Sequence, residues 1–349
     1  MISLPEIIER DKRPPSVTVI MLCYNHSKYI DEAIQSVLMQ KTNFPVNIVI
    51  HDDASPDGSA EIIRKYAAQY PNITAILQTV NMFQNGKYFF PCLLPHYTGK
   101  YIAYCECDDF WLDEHKLQIQ VDYLENNPDC VTVCSNTLPV NKFSRYDESC
   151  RAIYNSKTGE GDYPSWYVFE IRHQLASYMT RNFWQFMTPD DIDFYINVKG
   201  NGDEKLLNFC IRLGRVHYFK QELAAYRRVV DDGDSYSAHM NRLGKYQVWK
   251  NAVINHKEVI RMLLHFFGDK HKFAYDSIYN LQLLFYEVMG RIIYRKSIMK
   301  DLDMKGWMKN IPWYIYSAFP FFFPCYLWYK IWKAGGKKIV KFLLTLKKA

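Results

Sequence analysis

Three carboxylates crowd into four positions at Glu106-Cys107-Asp108-Asp109. They close an apolar run, Tyr101-Ile102-Ala103-Tyr104-Cys105, that reads as a short buried strand. Carboxylates this close repel one another unless a cation lies among them. Hard oxygen ligands of this kind suit Mg²⁺ or Mn²⁺, ions that commonly carry substrate phosphates. A solvated turn with Asp109 capping the next helix would use the same residues, because short acidic motifs recur by chance. What separates the two readings is whether other polar residues reach the same place.

The elements around the cluster put them there. Val17–Leu22, Val46–Ile50, Ile73–Leu77, Tyr101–Cys105 and Val131–Val133 read as short buried strands. Helical spacing runs between them, over residues 29–40, from Ser59 to Tyr70 and over Lys116–Glu125, with Ser59 or Asp57 able to cap the second. This alternation with short connections indicates an α/β fold with a mainly parallel central sheet. Ligands bind beyond the C-terminal ends of strands in such sheets. Tyr24-Asn25, Asp52-Asp53 and Glu106–Asp109 all fall at such ends, so three strands deliver polar residues to one rim. Further on, Gly200-Asn201-Gly202 precedes a helix over Asp203–Leu213. Val216–Ala225 reads as another strand pair, Asp231–Asp234 as a loop, and 240–300 as mostly helical with a break near Gly268-Asp269.

Composition limits the alternatives. A chain of 349 residues with 48% apolar content can bury a full core. Its nine cysteines show no CxxC pairing and no disulfide framework, which argues against zinc and for a reducing, cytoplasmic setting. The net charge of +6 is carried by the end of the chain. Residues 304–349 hold nine lysines and no acid, leaving residues 1–303 at −3. Nucleic acid is therefore not an expected partner, since such binding puts the positive surface on the folded body.

With these residues in view, the chain resembles the family 2 glycosyltransferases of GT-A type, in the branch that builds bacterial surface polysaccharides. The resemblance covers about residues 16–235. It lies in "VTVIMLCYNHSKYIDEAIQSVLMQ", "IVIHDDASPDGSAEII", "GKYIAYCECDDFWLDEHKLQIQVDYLENNPD" and "GNGDEKLLNFCIRLGRVHYFKQELAAYR", four blocks in family order. It implies a nucleotide-sugar-binding fold followed by a helical C-terminal region. Tyr24 and Asn25 would line the nucleotide pocket, Asp53 would recognise the base and Glu106 would lie near the ribose. Asp108 would bind the metal with Asp109 sharing it, and Asp203 would be the general base. The residues alone also allow Asp203 to be a helix cap, and Glu204 to be the base instead. The chain departs from the family in having Glu rather than Asp at 106, and in having no His directly after Tyr226-Arg227.

The resemblance implies transfer from a nucleotide-sugar donor, UDP-linked, to a glycan or lipid-linked acceptor, assisted by Mn²⁺ or Mg²⁺. No second carboxylate stands out as a covalent nucleophile, so single displacement with inversion is expected. The rival expectation is a catalytically impaired protein that binds a nucleotide-sugar or a partner enzyme. Arg227 and Arg228 suit either a diphosphate or solvent, Trp111 reads as core, and His26 and His51 read as structural. The expected organisation is an arm over 1–15, a catalytic domain over 16–235, a helical region over 236–303 and a basic aromatic tail over 304–349. In that tail Ile311–Tyr329 is uncharged, aromatic and broken by Pro312, Pro320 and Pro324. After it, Lys337, Lys341 and Lys348 lie opposite Ile339, Val340, Phe342, Leu343 and Leu346 at helical spacing. This pattern suits an interfacial anchor on anionic lipid, placing the protein at the inner face of a membrane.

Overall fold

The computed structural model describes residues 3–83, 90–148, 160–163, 174–229 and 242–268, apart from the side chains of Asp162, Tyr163 and His256. The expected loop at Asp231–Asp234, the tail and most of the helical region lie outside these residues. Up to Leu243, and again from Ile254, the chain belongs to one compact unit. Gly244–Val253 belongs to a second.

In chain order the elements are α1 (Leu4–Arg10), β1 (Val17–Cys23), α2 (Ile30–Leu38), β2 (Val46–Asp52), α3 (Ser59–Gln69), β3 (Ile73–Leu77), α4 (Phe90–Leu93), β4 (Tyr101–Tyr104), β5 (Phe110–Trp111), α5 (Lys116–Asn126) and β6 (Cys130–Val140). They continue with β7 (Gly161–Tyr163), β8 (Met179–Arg181), α6 (Pro189–Asn197), α7 (Gly202–Leu213), β9 (Arg215–Arg227) and α8 (Lys245–Phe267). Among the described residues the strands form one sheet in the order β3-β2-β1-β4-β8-β6-β9-β5, with β7 paired to β9. The expected α/β fold with a mainly parallel sheet is present. Its parallel half is β3-β2-β1-β4. The short antiparallel β8 then joins β4 to β6, and β6 runs parallel to β9.

Burial on both faces explains the parallel half. Val17, Val19, Met21, Ile50, Tyr101 and Ala103 are buried on one face and Ile20, Val49 and Ile102 on the other, and Ile30, Ala33 and Ile34 are buried on the inner face of α2. Trp111 belongs to this core as well. Its indole Nε1 donates to the Ala176 carbonyl at 2.9 Å, and the ammonium of buried Lys116 lies 4.2 Å from its ring. Two elements run longer than the sequence pattern suggests. β6 extends well beyond Val131–Val133, and Arg215–Arg227 is one bulged strand rather than a pair.

The first unit closes on the last part of α8. Phe266 and Phe267 meet Phe209 of α7 edge-on, and His265 lies flat against Phe194 of α6 with ring centroids 3.6 Å apart. In the second unit, Trp249 and Val253 pack with Tyr246.

Candidate active site

Sheet register assembles the rim. β1 and β2 pair in parallel, with Cys23 opposite Asp52, so Tyr24 and Asp53 leave the sheet side by side. On the other flank the ladder outruns β4. The Cys105 amide donates to Ile20 O at 3.0 Å and the Cys107 amide to Leu22 O at 2.9 Å. Alternation does the rest. Cys105, Cys107 and Asp109 turn into the core, whereas Glu106 and Asp108 are partly exposed beside the start of the first loop.

The first loop is held from outside. Three successive amides, those of Asn25, His26 and Ser27, donate to Ser55 Oγ, Ser59 Oγ and Asp57 Oδ2 at 3.0, 3.1 and 2.8 Å. Ser59 and Asp57 are therefore loop holders, and the cap position of α3 is Gly58 in the left-handed conformation (φ +89°). Asn25 and Ala54 both have left-handed backbones, at φ +59° and +60°. Such conformations cost a non-glycine residue energy and persist only where surrounding contacts impose them. Asp53 is buried and holds a neighbouring loop, its two oxygens accepting from the Met82 amide at 2.7 Å and the Phe83 amide at 3.1 Å.

The acidic motif is braced from behind by Arg227. Its side chain is 1% exposed. Nε donates to Asp108 O at 2.7 Å, Nη1 to Ser144 Oγ at 2.9 Å and Nη2 to Glu32 Oε2 at 2.6 Å. The guanidinium also stacks over Tyr29, 4.4 Å from the ring centroid. Its own backbone N–H donates to Asp109 Oδ1 at 2.8 Å, while Asp109 Oδ2 is buried without a partner. Arg227 is thus a structural brace, neither a ligand for diphosphate nor a solvated side chain, which corrects both sequence readings of it. His26 lies beside the motif. Its Nε2 stands 3.7 Å from Asp108 Oδ2, and its Nδ1 is buried without a partner.

Asp203 arrives from a different part of the chain. It is the second residue of α7, whose cap position is Asn201, so it is not the helix cap. The residue is exposed to solvent overall, while nearby protein desolvates its carboxyl. Burial raises its pKa against the lowering effect of the Glu204 amide, which donates to Oδ1 at 2.8 Å. Glu106 is pushed up to about 8, first by burial and then by the charges of Asp108 and Asp203. Burial also drives the Asp109 carboxyl well above the usual range, with Asp108 and Glu106 adding to it. Glu204, the other candidate base, accepts a hydrogen bond from Asn255 Nδ2.

A crowded set of acids pushed toward their neutral forms is what a dication relieves. The donor chemistry fits Mn²⁺ or Mg²⁺, and Asp108 is the acid that solvent reaches. Among the described residues no three His, Cys, Asp or Glu side chains converge as a closed metal cage. A site of this kind takes its remaining ligands from water and substrate phosphate oxygens.

Residues 18–180 match the sequence model of Glycosyl transferase family 2. An uncharacterized protein of Mycobacterium tuberculosis is 36% identical over 174 residues, which is 48% of this chain and 44% of that protein. The minor teichoic acid biosynthesis protein GgaB of Bacillus subtilis is 25% identical over 228 residues, 62% of this chain and 23% of GgaB. The chain therefore spans less than half the length of either relative. Among solved structures, TarS of S. aureus in complex with UDP aligns with a TM-score of 0.48 and 15% identity, over 79% of this chain and 78% of that one.

Proposed function

From the membership of residues 18–180 in glycosyl transferase family 2, we propose that this chain is an inverting glycosyltransferase. It moves a sugar from a nucleoside-diphosphate sugar, UDP-linked, to a glycan or lipid-linked acceptor in polysaccharide or lipopolysaccharide synthesis. The observation that carries this reading is that Asp203, nearly a hundred residues on in sequence, lies close enough for its charge to act on Glu106 together with that of Asp108.

Each group has a task that its setting suits. Asp203 accepts the proton of the acceptor hydroxyl, and a carboxyl raised by burial is a better proton acceptor than a free one. The hydroxyl oxygen forms its bond to the anomeric carbon as the bond to the diphosphate oxygen breaks on the opposite face, which inverts the configuration. Mn²⁺ or Mg²⁺ bound at Asp108 would neutralise the departing diphosphate, with Asp109, turned into the core and held by the Arg227 amide, standing behind the ion rather than on it. Tyr24, Asn25 and Asp53 border the nucleoside, and Glu106 stands where the ribose would lie. The strained first loop, pinned by Ser55, Asp57 and Ser59, supplies a rigid wall for it.

The name of GgaB supports an acceptor among cell-surface polymers. The catalytic domain is assigned to 16–235, with the arm over 1–15 and the helical region over 236–303 flanking it. The basic aromatic tail over 304–349 is assigned to the cytoplasmic face of a membrane, where a lipid-linked acceptor would be met. No helix among the described residues is long and apolar enough to cross a bilayer.

The test is a panel of nucleotide-sugars, with and without Mn²⁺, assayed for nucleoside-diphosphate release and for product anomer by NMR. Asp108→Ala and Asp203→Asn are expected to lose turnover by at least about a hundredfold while remaining folded. Retained anomeric configuration, or unchanged turnover in both variants, would refute the proposal. Donor binding without turnover in the wild type would favour the impaired-binder reading.

A further inference from the structure

We infer that Asn255 is a positioning residue for Asp203, acting through the turn that opens α7. This rests on the reading of Asp203 as the base. Asn255 is 7% exposed and comes from α8, 52 positions after Asp203. Its Oδ1 accepts the Asn201 amide at 2.7 Å, and its Nδ2 donates to Glu204 Oε2. Those two residues flank Gly202-Asp203. One buried amide therefore grips both sides of the two-residue step that carries the acid.

Neighbouring contacts serve the same turn. The Lys199 amide donates to Glu258 Oε2 at 3.2 Å, one helical turn beyond Asn255. Lys205 Nζ donates to Val198 O at 2.9 Å and to Tyr195 O at 3.3 Å, tying α7 back to the end of α6. Gly200 has φ +142°, and a Cβ there would overlap Asn255 Oδ1. The turn is shaped to admit that side chain. α7 has no side-chain cap of its own, because Asn201 makes no cap hydrogen bond. Asn255 performs the ordering that a local cap would otherwise provide.

The chemistry of the pair offers a test with internal rescue. In Asn255→Asp the new carboxylate keeps an acceptor for the Asn201 amide but loses the donor to Glu204 and faces it as a like charge. Adding Glu204→Gln restores both hydrogen bonds with the second one reversed, the new amide at 204 donating to the new carboxylate at 255. The first readout is hydrogen exchange of the Asn201 amide. Exchange should quicken about tenfold in Asn255→Ala and Asn255→Asp and recover in the double variant. Exchange at residues 24–27 and 106–109 should not change.

The second readout is Mn²⁺-dependent release of UDP or GDP from UDP-glucose, UDP-N-acetylglucosamine or GDP-mannose, whichever the wild type hydrolyses fastest. In Asn255→Asp, kcat should fall about ten- to a hundredfold with donor KM unchanged, and the double variant should regain most of it. Unchanged Asn201 exchange in Asn255→Ala would overturn the inference, as would a double variant no better than Asn255→Asp. Loss of turnover in Glu204→Gln alone would overturn it too, by making Glu204 the base. Wild-type turnover in Asp203→Asn would instead sink the proposed mechanism, and it would do so without altering the exchange result.

Discussion

The acid cluster makes a prediction about stability that needs no knowledge of the acceptor. In the metal-free protein Glu106 titrates at about 8, against 4.5 for an ordinary glutamate. Between those two pH values the native protein holds a proton that the unfolded chain has released. The native state then binds more protons, so stability must fall as pH rises through this window. Asp203 and Asp109 are raised as well and act with the same sign. Each pH unit of displacement is worth about 1.4 kcal/mol, so Glu106 alone bounds the effect at about 5 kcal/mol. Water reaches this partly exposed carboxyl and screens it, which reduces the working figure to on the order of 2 kcal/mol. For a protein of this size that is a melting shift of about 3 °C.

Two buried bases run the other way and must be separated out. Burial holds His51 below its usual pKa, so its contribution is lost as pH falls through the 6.5 of the free side chain. Lys116 is lowered to about 7, which makes stability rise with pH between 7 and about 10.5. Both cancel in a comparison of wild type with Glu106→Gln, because neither lies at the substituted position. Scanning calorimetry in chelator from pH 5 to 8 should show the wild type losing about 2 kcal/mol relative to Glu106→Gln. Mn²⁺ should return that stability increasingly as pH rises, by about 2.7 kcal/mol once it exceeds its dissociation constant a hundredfold. Parallel wild-type and Glu106→Gln curves, or a Mn²⁺ shift independent of pH, would refute the reasoning.

Three more outcomes are expected. Arg227→Lys should cost about 2–4 kcal/mol in urea unfolding, since one ammonium cannot serve Asp108 O, Ser144 and Glu32 together; a loss below about 1 kcal/mol would mean the brace is dispensable. Asp57→Ala leaves the Ser27 amide without its acceptor, and calorimetry should find UDP binding in Mn²⁺ weakened about tenfold, whereas unaltered affinity would separate the first loop from donor binding. Removing residues 304–349 should abolish co-sedimentation with vesicles containing phosphatidylserine, and undiminished sedimentation would reject the membrane assignment of the tail.

What could be seen in the sequence depended on how local each interaction is. β1, α2, β2, β3 and α5 follow from apolar periodicity within their own residues, and their ends came out within a residue or two. β8 escaped because three residues carry no period; it is a strand through its neighbours, Thr180 pairing with Ile102 and Thr132 and Met179 with Ala103 and Val133. The full length of β6 is likewise set by its partner, since the bulged register from Cys130 to Val140 exists only against β9. α6 is a different failure, because Thr188 before Pro189 is a legible start signal and caps the Asp191 amide at 3.2 Å. The acidic motif announced itself because its charges crowd along the chain. Arg227 did not, because its partners at 32, 108 and 144 are gathered only by folding. Asn255 is the extreme case: nothing about an asparagine in the run Val253-Ile254-Asn255-His256 marks it, and its meaning lies wholly in the two groups it reaches across the fold. The side chains proposed to meet substrate are thus written in local composition, while those that hold them in place are written in long-range closure.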